Sequence, residues 1–387
     1  MDLKEVNSKA LEKQFLEVPV RIYKDIPQWI RPLDDDIRKV FDPKRNKFFR
    51  HGKAVRWVLF DDSGMPIGRV AAFVNRKTAK KNPQPTGGMG FFECIDDQLA
   101  ANMLLDACRD WNLSEGMEAM DGPVNFGERD RFWGLLVEGF HEPVYAMNYN
   151  PPYYQKLFES YGFKEYFKQF CYALNSADAI DPKFEKAASA LRKKGEYKAV
   201  HARKKDLKKY AHDFSVIYNK AWARHGGGKE ISPEMAEKMF NTMKPVMEEK
   251  LIWFVYYKDE PVGFWINLPE LNYYFKHFNG KFGILQKFAL LVMKLLSRNK
   301  KFYGLVFGVV PEHQGQGVDA LMIRDGQDTL VSQTPYREME LQWIGDFNPK
   351  MISIAKSLGT SKCRTLITYR YLFDREAPFE RMKIFDR

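Results

Sequence analysis

The chain has 387 residues, of which 45% are hydrophobic and 15% aromatic, so it is long enough for two domains and can bury their cores. This composition excludes an intrinsically disordered protein. Lys and Arg outnumber Asp and Glu by 61 to 50, and the resulting charge of +11 favours anionic partners, such as phosphate esters, nucleic acid or an anionic membrane surface, without choosing among them.

The chain begins with a polar segment, MDLKEVNSKALEKQ, which lacks the apolar core of a signal peptide. No later stretch reaches the roughly 18 uncharged apolar residues that a membrane-spanning helix needs. The four cysteines lie far apart and form no C-x-x-C pair, which suits a reducing compartment. We therefore expect a cytoplasmic protein.

The first half of the chain contains three recognisable elements. Residues 57–75 predict a β-hairpin, with a polar turn and a glycine early in the second strand. A strand-to-helix turn follows, in which Asp96 and Asp97 precede a helical pattern of apolar residues. A helix then begins at the Asn-Pro pair of residues 150–151 and should end at Gly162, because proline favours the first helical position and glycine the position just past the end.

The same elements recur in the same order in the second half. Residues 253–269 predict a hairpin, residues 306–322 a strand-to-helix turn, and the Asn-Pro pair at 348–349 a helix that should end at Gly359. A repeated order of this kind predicts two related α/β units.

The unit boundary is expected in a Lys-rich region. We assign residues 1–176 to the first unit, 177–198 to a linker and 199–387 to the second unit. The basic run at 192–209 alternates like a strand and then begins a helix, so a solvated face is expected there and nucleic acid is not expected as a partner.

The second unit carries an insertion, residues 270–301, that the first unit lacks. Seven Lys or Arg and one Glu give it a net charge of +6. Lys287 and Lys294 lie on or beside the edge of a broad helical apolar face. That face comprises Phe282, Ile284, Leu285, Phe288, Leu291, Val292, Leu295 and Leu296. Such a helix is typical of an anionic membrane surface or of an apolar tunnel, and a helix packed on its own domain is an equal alternative.

The strand-to-helix turn of the second unit, VVPEHQGQGVDALM, is rich in glycine. Glycines permit positive φ and remove side chains, so that backbone N–H groups at a helix N-terminus can converge on a phosphate. No carboxylate stands between Glu312 and Asp319, whereas the acidic turn of the first unit would repel an anion. We expect only the second unit to hold a phosphate.

This turn resembles the acyl-CoA loop of the GNAT superfamily of N-acyltransferases, whose pattern is Gln or Arg, two residues, Gly, one residue, then Gly or Ala. Gln314 and Gly317 match the pattern, and Asp319 departs from it at the last position. The resemblance covers about residues 195–372, and residues 50–175 resemble the same fold without its loop. It implies an α/β (α+β) protein of two GNAT-like units, each a mixed, mostly antiparallel sheet flanked by helices.

Within the superfamily, the loop and the hydrophobic insertion look most like a bacterial branch of two-unit acyltransferases to which bacterial ceramide synthases belong. The resemblance implies acyl-CoA or acetyl-CoA as co-substrate. The backbone of Val309 and Val310 would face the pantetheine arm. The residues whose N–H groups would hold the pyrophosphate are Gln314, Gly315, Gln316 and Gly317.

The resemblance leaves the groups that transfer protons open. The family often places a Tyr four residues before the Gly that ends the last helix, where this chain has Phe158 and Ala355. Either no acid is needed, since a thiolate leaves readily, or Tyr369 or Tyr371 on the following strand is a candidate for it. Asp346 and Glu340 are candidates for the base.

Acceptor contacts are expected near residues 218–235, where GNAT folds close over the acceptor. Asn219, Trp222 and His225 are candidates there, together with Asn348 at the start of the last helix. No metal is expected, because the seven histidines form neither H-E-x-x-H nor an i, i+4 pair.

The predicted function is therefore an acyltransferase that moves an acyl group from acyl-CoA to an amine. If the insertion meets an anionic membrane surface, the acceptor is a lipid or sphingoid amine and the protein is peripheral on the inner face of the membrane. Two alternatives stay open: a Fem-type transferase that uses aminoacyl-tRNA, and a non-catalytic GNAT-like binding module.

Overall fold

The computed structural model describes residues 1–79, 84–223, 230–296 and 298–384. In chain order its strands are β1 (Asp2–Glu5), β2 (Gly52–Phe60), β3 (Pro66–Asn75), β4 (Thr86–Cys94), β5 (Ala119–Gly122), β6 (Leu135–Glu138), β7 (Lys164–Asn175), β8 (Tyr197–His201), β9 (Ile252–Tyr257), β10 (Glu260–Pro269), β11 (Lys301–Val309), β12 (Glu338–Leu341), β13 (Ile344–Gly345) and β14 (Ser361–Leu372).

The α-helices are α1 (Lys9–Ile22), α2 (Asp34–Val40), α3 (Arg76–Ala79), α4 (Gln98–Ser114), α5 (Tyr154–Tyr161), α6 (Pro182–Lys194), α7 (Leu207–Tyr218), α8 (Pro233–Met243), α9 (Asn272–Phe275), α10 (Ile284–Leu296), α11 (Val318–Gln333) and α12 (Pro349–Ser357). Among the described residues, no helix is both long enough and apolar enough to cross a membrane.

The strands form one continuous sheet in the order β1-β2-β3-β4-β5-β14-β7-β12-β11-β10-β9-β8, with β13 beside β7 and β6 beside β14. Most neighbours are antiparallel, and the parallel pairs are β4 with β5 and β11 with β12. Two large buried clusters of apolar side chains pack in the two halves of the sheet. The predicted fold class, mixed and mostly antiparallel sheets flanked by helices, is confirmed.

The two halves exchange their last strands. β14, which ends the second half, lies between β5 and β7, with Tyr369 opposite Gly122 of β5. β7, which ends the first half, pairs with β12 of the second, with Ala173 opposite Glu340. These pairings join both sequence-defined units in one sheet, and the boundary at residues 177–198 remains a prediction.

The two predicted hairpins are confirmed as β2–β3 and β9–β10. The last helices also end as predicted, because Gly162 and Gly359 adopt φ of 107° and 79° just beyond them. The helix expected from residue 150 instead begins at Tyr154. Asn150 does not cap it, since its buried side chain hydrogen-bonds both backbone groups of Leu136.

Residues 177–198, the predicted linker, contain helix α6. It packs along α11 through the ion pairs Glu185–Arg324, at 2.8 Å, and Arg192–Asp325, at 2.5 Å. This helix therefore lies beside the glycine-rich turn of the second half, where the methyl group of Ala187 would be 3.3 Å from a Cβ added to Gly317.

Candidate functional site

The glycine-rich turn joins β11 to α11 and leaves the helix N-terminus without a side-chain cap. Gly315 and Gly317 adopt φ of 72° and 94°, a conformation that most L residues avoid. Gly317 is the N-cap residue, and no side chain of the described residues caps α11. A Cβ on Gly315 would meet nothing within 4 Å, so this part of the turn faces open space.

The two glutamine side chains of the turn hydrogen-bond nearby backbone carbonyl groups and the hydroxyl of Tyr197 rather than the N–H groups of the turn. Gln314 donates to the Val309 carbonyl at 2.9 Å, and Gln316 donates to the Glu312 carbonyl at 2.7 Å. Tyr197 in turn donates to the Gln316 side chain at 2.9 Å. These bonds fix the loop, and the Gln314 N–H is used by the Pro311 carbonyl at 3.2 Å. Among the described residues no side chain caps α11, which suits an anion site at its N-terminus.

Of the two backbone positions expected to face pantetheine, Val310 is engaged in the sheet. Its N–H donates to the Val262 carbonyl at 2.9 Å. The Val309 carbonyl is occupied by Gln314. Contact with pantetheine at these positions remains a prediction.

An apolar cavity of about 100 Å³ opens beside the turn. It forms because β11 and β12 pair only as far as Gly304 and Leu341. Beyond that point β11 continues to the turn with β10 as its remaining neighbour, and β13 pairs with β7. Its walls come from both strands and from three helices. They include Phe184, Phe307, Asp319, Leu341, Ile354 and Ala355.

A charged cluster lies on the opposite face of the sheet, because successive strand residues point to opposite sides. Met339 and Leu341 line the cavity, so Glu340 between them faces away from it. The buried Arg364 of β14 donates to Glu340 Oε1 at 2.7 Å, and His141 Nε2 lies 3.8 Å from Oε2. Burial opposes ionisation of Glu340, but the nearby imidazole of His141 and the charge of Arg364 outweigh it and lower its pKa.

Arg364 also fixes the loop that carries His141. Its guanidinium donates to the carbonyl groups of Gly139, His141 and Glu142. One buried cation from the exchanged strand thus orients both Glu340 and its histidine neighbour, so the cluster depends on both halves of the chain.

Tyr303 and Glu270 extend this cluster. Tyr303 is the register partner of Glu340 across the parallel pair, and burial raises the pKa of its hydroxyl. Glu270 Oε1 accepts N–H groups of Tyr145 and Asn272 at 2.9 and 2.7 Å, while its buried Oε2 has no hydrogen-bond partner. Burial raises the pKa of Glu270 to about 8, so this carboxyl group is mostly neutral at pH 7 while Glu340 is ionised.

Within the described residues, the group that could offer three metal ligands is His141, Glu340 and Cys363, whose ligand atoms lie within 4.8 Å of one another. Two features weigh against a cation there. Arg364 donates to the same carboxylate, and burial raises the pKa of the Cys363 thiol to about 12, which keeps it protonated. The absence of a metal remains a prediction.

Three residues proposed from sequence for catalysis or substrate contact do not join this cluster. Tyr369 lies in the core of the first half, where its hydroxyl donates to Glu159 at 2.8 Å. Asp346 pairs with Arg381 at 2.7 Å. Asn348 caps α12 by accepting the Met351 N–H at 3.2 Å.

The acceptor contacts proposed near residues 218–235 are placed only in part. Asn219 binds both backbone groups of Ile231 and so closes a loop. His225 and the side chain of Trp222 lie outside the described residues. Glu340 is the sequence candidate that the structure brings into a charged cluster.

The sequence analysis missed His141, Arg364, Glu270 and Tyr303. Two signals were available. Glu270 is the single acid among the seven basic residues of the insertion, and Arg364 directly precedes the largely apolar segment TLITYRYL. Their convergence follows from the exchange of β14, which local patterns do not reveal.

The sequence comparisons identify bacterial relatives. A bacterial ceramide synthase of Caulobacter vibrioides is 27% identical over 381 residues, which cover 94% of this chain and 95% of that protein. Protein YghO of Escherichia coli is 23% identical over 355 residues, which cover 90% of this chain and 89% of that protein. No family model matches the chain.

The fold matches that of a solved tandem GNAT protein from the clavulanic acid biosynthesis pathway. The TM-score is 0.55 at 10% sequence identity, and the match covers 98% of this chain and 100% of that one. At this identity the similarity establishes the fold, and the chain has the tandem GNAT fold.

Proposed function

We propose that this chain, with a tandem GNAT fold in which one strand-to-helix turn is open to an anion, is an acyltransferase that moves an acyl group from a CoA thioester to an amine. The observation that carries the proposal is that three features follow one another along β11. The uncapped glycine turn ends the strand, the apolar cavity flanks its free edge, and Tyr303 stands beside Glu340 at its start.

On the donor side, the turn would bind the pyrophosphate through the N–H groups of residues 315–317 and the N-terminus of α11, since the Gln314 N–H already donates to the Pro311 carbonyl at 3.2 Å. The gap where β11 and β12 separate would admit the pantetheine arm. The acyl chain would occupy the apolar cavity beside Ala355, where the smaller side chain leaves room that an aromatic residue would fill.

On the acceptor side, the amine would approach from the face that carries Glu340. The amine nitrogen attacks the thioester carbonyl, the carbon–sulfur bond breaks, and CoA leaves as the thiolate. Glu340, kept ionised by Arg364 and His141, takes the proton that the nitrogen loses. The hydroxyl of Tyr303 or the neutral carboxyl of Glu270 can supply a proton to the thiolate.

The acceptor that we propose is a lipid-like amine, such as a sphingoid base. The relative from Caulobacter vibrioides is described as a ceramide synthase, and its similarity spans 94% of this chain. The walls of the donor cavity are almost entirely apolar, and the insertion that follows Glu270 is rich in apolar residues.

The test is formation of an N-acyl product from palmitoyl-CoA and sphinganine by the full chain, followed by mass spectrometry and by release of free CoA. Glu340→Gln should lower kcat by about 100-fold or more, the usual contribution of a general base. Because this change weakens the pairing of buried Arg364, thermal unfolding of the variant is measured beside Lys356→Gln, a change at an exposed position of α12.

Product formation that depends on Glu340 in a folded variant supports the proposal. Absence of acyl-CoA binding up to roughly 1 mM, a high concentration for an enzyme substrate, would overturn it. Acyl-CoA binding without turnover on amines would replace it with the binding-module alternative.

A further inference from the structure

Helix α10 presents an apolar face to solvent. Six of its side chains are between 59% and 85% exposed, and they recur at spacings of three, four and seven residues that place them on one side of the helix. These residues are Ile284, Leu285, Phe288, Leu291, Leu295 and Leu296. Within the described part of α10, Leu290 is the fully buried residue.

The opposite side of α10 holds the helix on the protein. Leu290, Ala289 and Met293 pack into an apolar cluster with Phe275, Phe278 and Leu33. Lys294 adds a hydrogen bond from its ammonium group to the Pro245 carbonyl at 2.9 Å. The helix is therefore anchored by its inner side, and the alternative that its broad apolar face packs on its own domain is wrong for the six exposed residues.

Basic side chains surround the exposed face. Lys281 precedes the helix, Lys287 lies on it, and Arg298 and Lys300 follow it, all of them exposed. None of the four forms an ion pair with any residue in the described ranges. The single acid of residues 270–301, Glu270, is buried and points into the protein.

We infer that the outer face of α10 docks on the surface of an anionic lipid bilayer. Large apolar side chains ringed by unpaired cations match the layered chemistry of that surface, in which negative headgroups lie above acyl chains. A soluble protein partner would need an acidic rim to match the same cations, and a second copy of this chain would place cation against cation.

The position of α10 links this surface to the acceptor side of the proposed site. The insertion begins at Glu270, whose neighbour Asn272 donates to the Pro143 carbonyl, next to the loop that carries His141. It then passes through α9, whose Tyr274 and Phe275 belong to the same cluster as Leu290, and reaches α10. A bilayer against α10 would therefore lie on the side from which a lipid amine approaches Glu340.

The experiment is co-sedimentation of the full chain, without substrate, with vesicles of phosphatidylcholine alone and of phosphatidylcholine mixed with phosphatidylglycerol. Leu291→Glu/Leu295→Glu should weaken binding to the anionic vesicles at least tenfold. Both residues are exposed, so the change leaves the core intact. The matched control is Leu99→Glu, at a leucine that is 68% exposed on α4 in the first half, and it should bind as the wild type does.

Charge is tested separately by Lys281→Glu/Lys287→Glu and by added salt, each of which should weaken binding to the anionic vesicles severalfold. The inference is overturned if the wild type sediments with neither vesicle, or if the double leucine variant binds like the wild type. It is also overturned if the wild type is a dimer without lipid and the leucine variant is a monomer, because the face would then be a subunit interface. Binding is measured without acyl-CoA, so failure here leaves the proposed acyl transfer standing.

Discussion

The two halves of the chain end corresponding strands in opposite ways. After β4, the carboxylate of Asp97 caps α4 by accepting the Ala100 N–H at 2.8 Å, so the helix N-terminus is satisfied internally. After β11, Gly317 occupies the same place and caps nothing. The N-terminus of α4 is therefore occupied by a carboxylate of the protein itself, whereas the N-terminus of α11 stays open to an anion.

Two buried carboxyl groups, Glu93 in the first half and Glu270 in the second, differ in the same way. Glu93, at the end of β4, accepts hydroxyl groups of Tyr23 and Tyr154 at 2.6 and 2.9 Å and pairs with buried Arg69 at 3.3 Å. Glu270, in the second half, leaves Oε2 without a partner. Both oxygens of Glu93 are thus engaged within the protein, whereas Glu270 keeps one oxygen open and is the carboxyl group of the two that is available for chemistry.

The largest expected effect comes from making the same isosteric change in both halves. Glu93→Gln should lower the free energy of unfolding by about 3 kcal/mol, because it leaves Arg69 buried without its counter-charge. Glu270→Gln should instead raise the free energy of unfolding relative to wild type at alkaline pH. The measurement is urea unfolding of both variants at several pH values.

The direction of the stability change in Glu270→Gln follows from the raised pKa of the Glu270 carboxyl group. The neutral carboxyl is the form that the folded protein favours, so its contribution is fully present below the ordinary pKa near 4.5 and is lost as the pH rises to about 8. Relative to wild type, Glu270→Gln should therefore gain about 3 kcal/mol between pH 5 and pH 8. Parallel pH profiles for the two proteins would contradict the assignment.

The second prediction closes the open turn. Gly315→Asp should weaken acetyl-CoA binding by about 30- to 100-fold, or about 2 to 3 kcal/mol, because the carboxylate would face the pyrophosphate. Gly315→Asn is the neutral control, since asparagine also accepts positive φ and its Cβ would meet nothing within 4 Å. Calorimetry should find the asparagine variant within about threefold of wild type, and equal losses in both variants would show that charge is not the cause.

The third prediction transfers a core residue from the first half. Phe158 is fully buried and packs against Phe92 and Phe163, whereas Ala355 at the equivalent position lines the cavity. Ala355→Phe should reduce the preference for palmitoyl-CoA over acetyl-CoA about tenfold in kcat/KM, since it fills space that the chain would use.

The exposed neighbour Lys356 provides the matched control for this change. Lys356→Phe adds the same ring on the solvent side of α12 and should leave the preference unchanged. If Ala355→Phe also leaves it unchanged, the cavity does not hold the acyl chain.

The smallest expected effect is the removal of the cap in the first half. Asp97→Ala should cost about 1 kcal/mol of stability in thermal unfolding and should not change the stoichiometry of one acetyl-CoA per chain. Asp96→Ala, at an exposed neighbour that does not cap α4, should cost less than about 0.5 kcal/mol. A second bound acetyl-CoA in Asp97→Ala would show that the first half retains a latent site.

Local patterns in the sequence predicted the two hairpins, the helix ends at glycine and the open turn, but not the start of α5 at Tyr154 or helix α6 within the predicted linker. Hairpins, helix ends at glycine and the contrast between Asp97 and Gly317 all depend on neighbouring residues, and each was predicted. The charged cluster was not, because Glu340 and Arg364 meet only through the exchange of β14. Through the same exchange Tyr369, a sequence candidate for the acid, lies in the core of the first half. Likewise, a helical apolar pattern over 284–296 does not reveal which side of the helix is covered.

The exchanged strands also limit the order in which the parts of the chain can fold. β5 cannot complete its hydrogen bonds until β14 has been made. Arg370 of β14 binds Asp121 of β5, although the two residues are 249 positions apart in the chain. During synthesis β5 therefore leaves the ribosome with an unpaired edge, which is filled only after β14 has been made. The first half is translated first, yet it is among the last parts to finish folding.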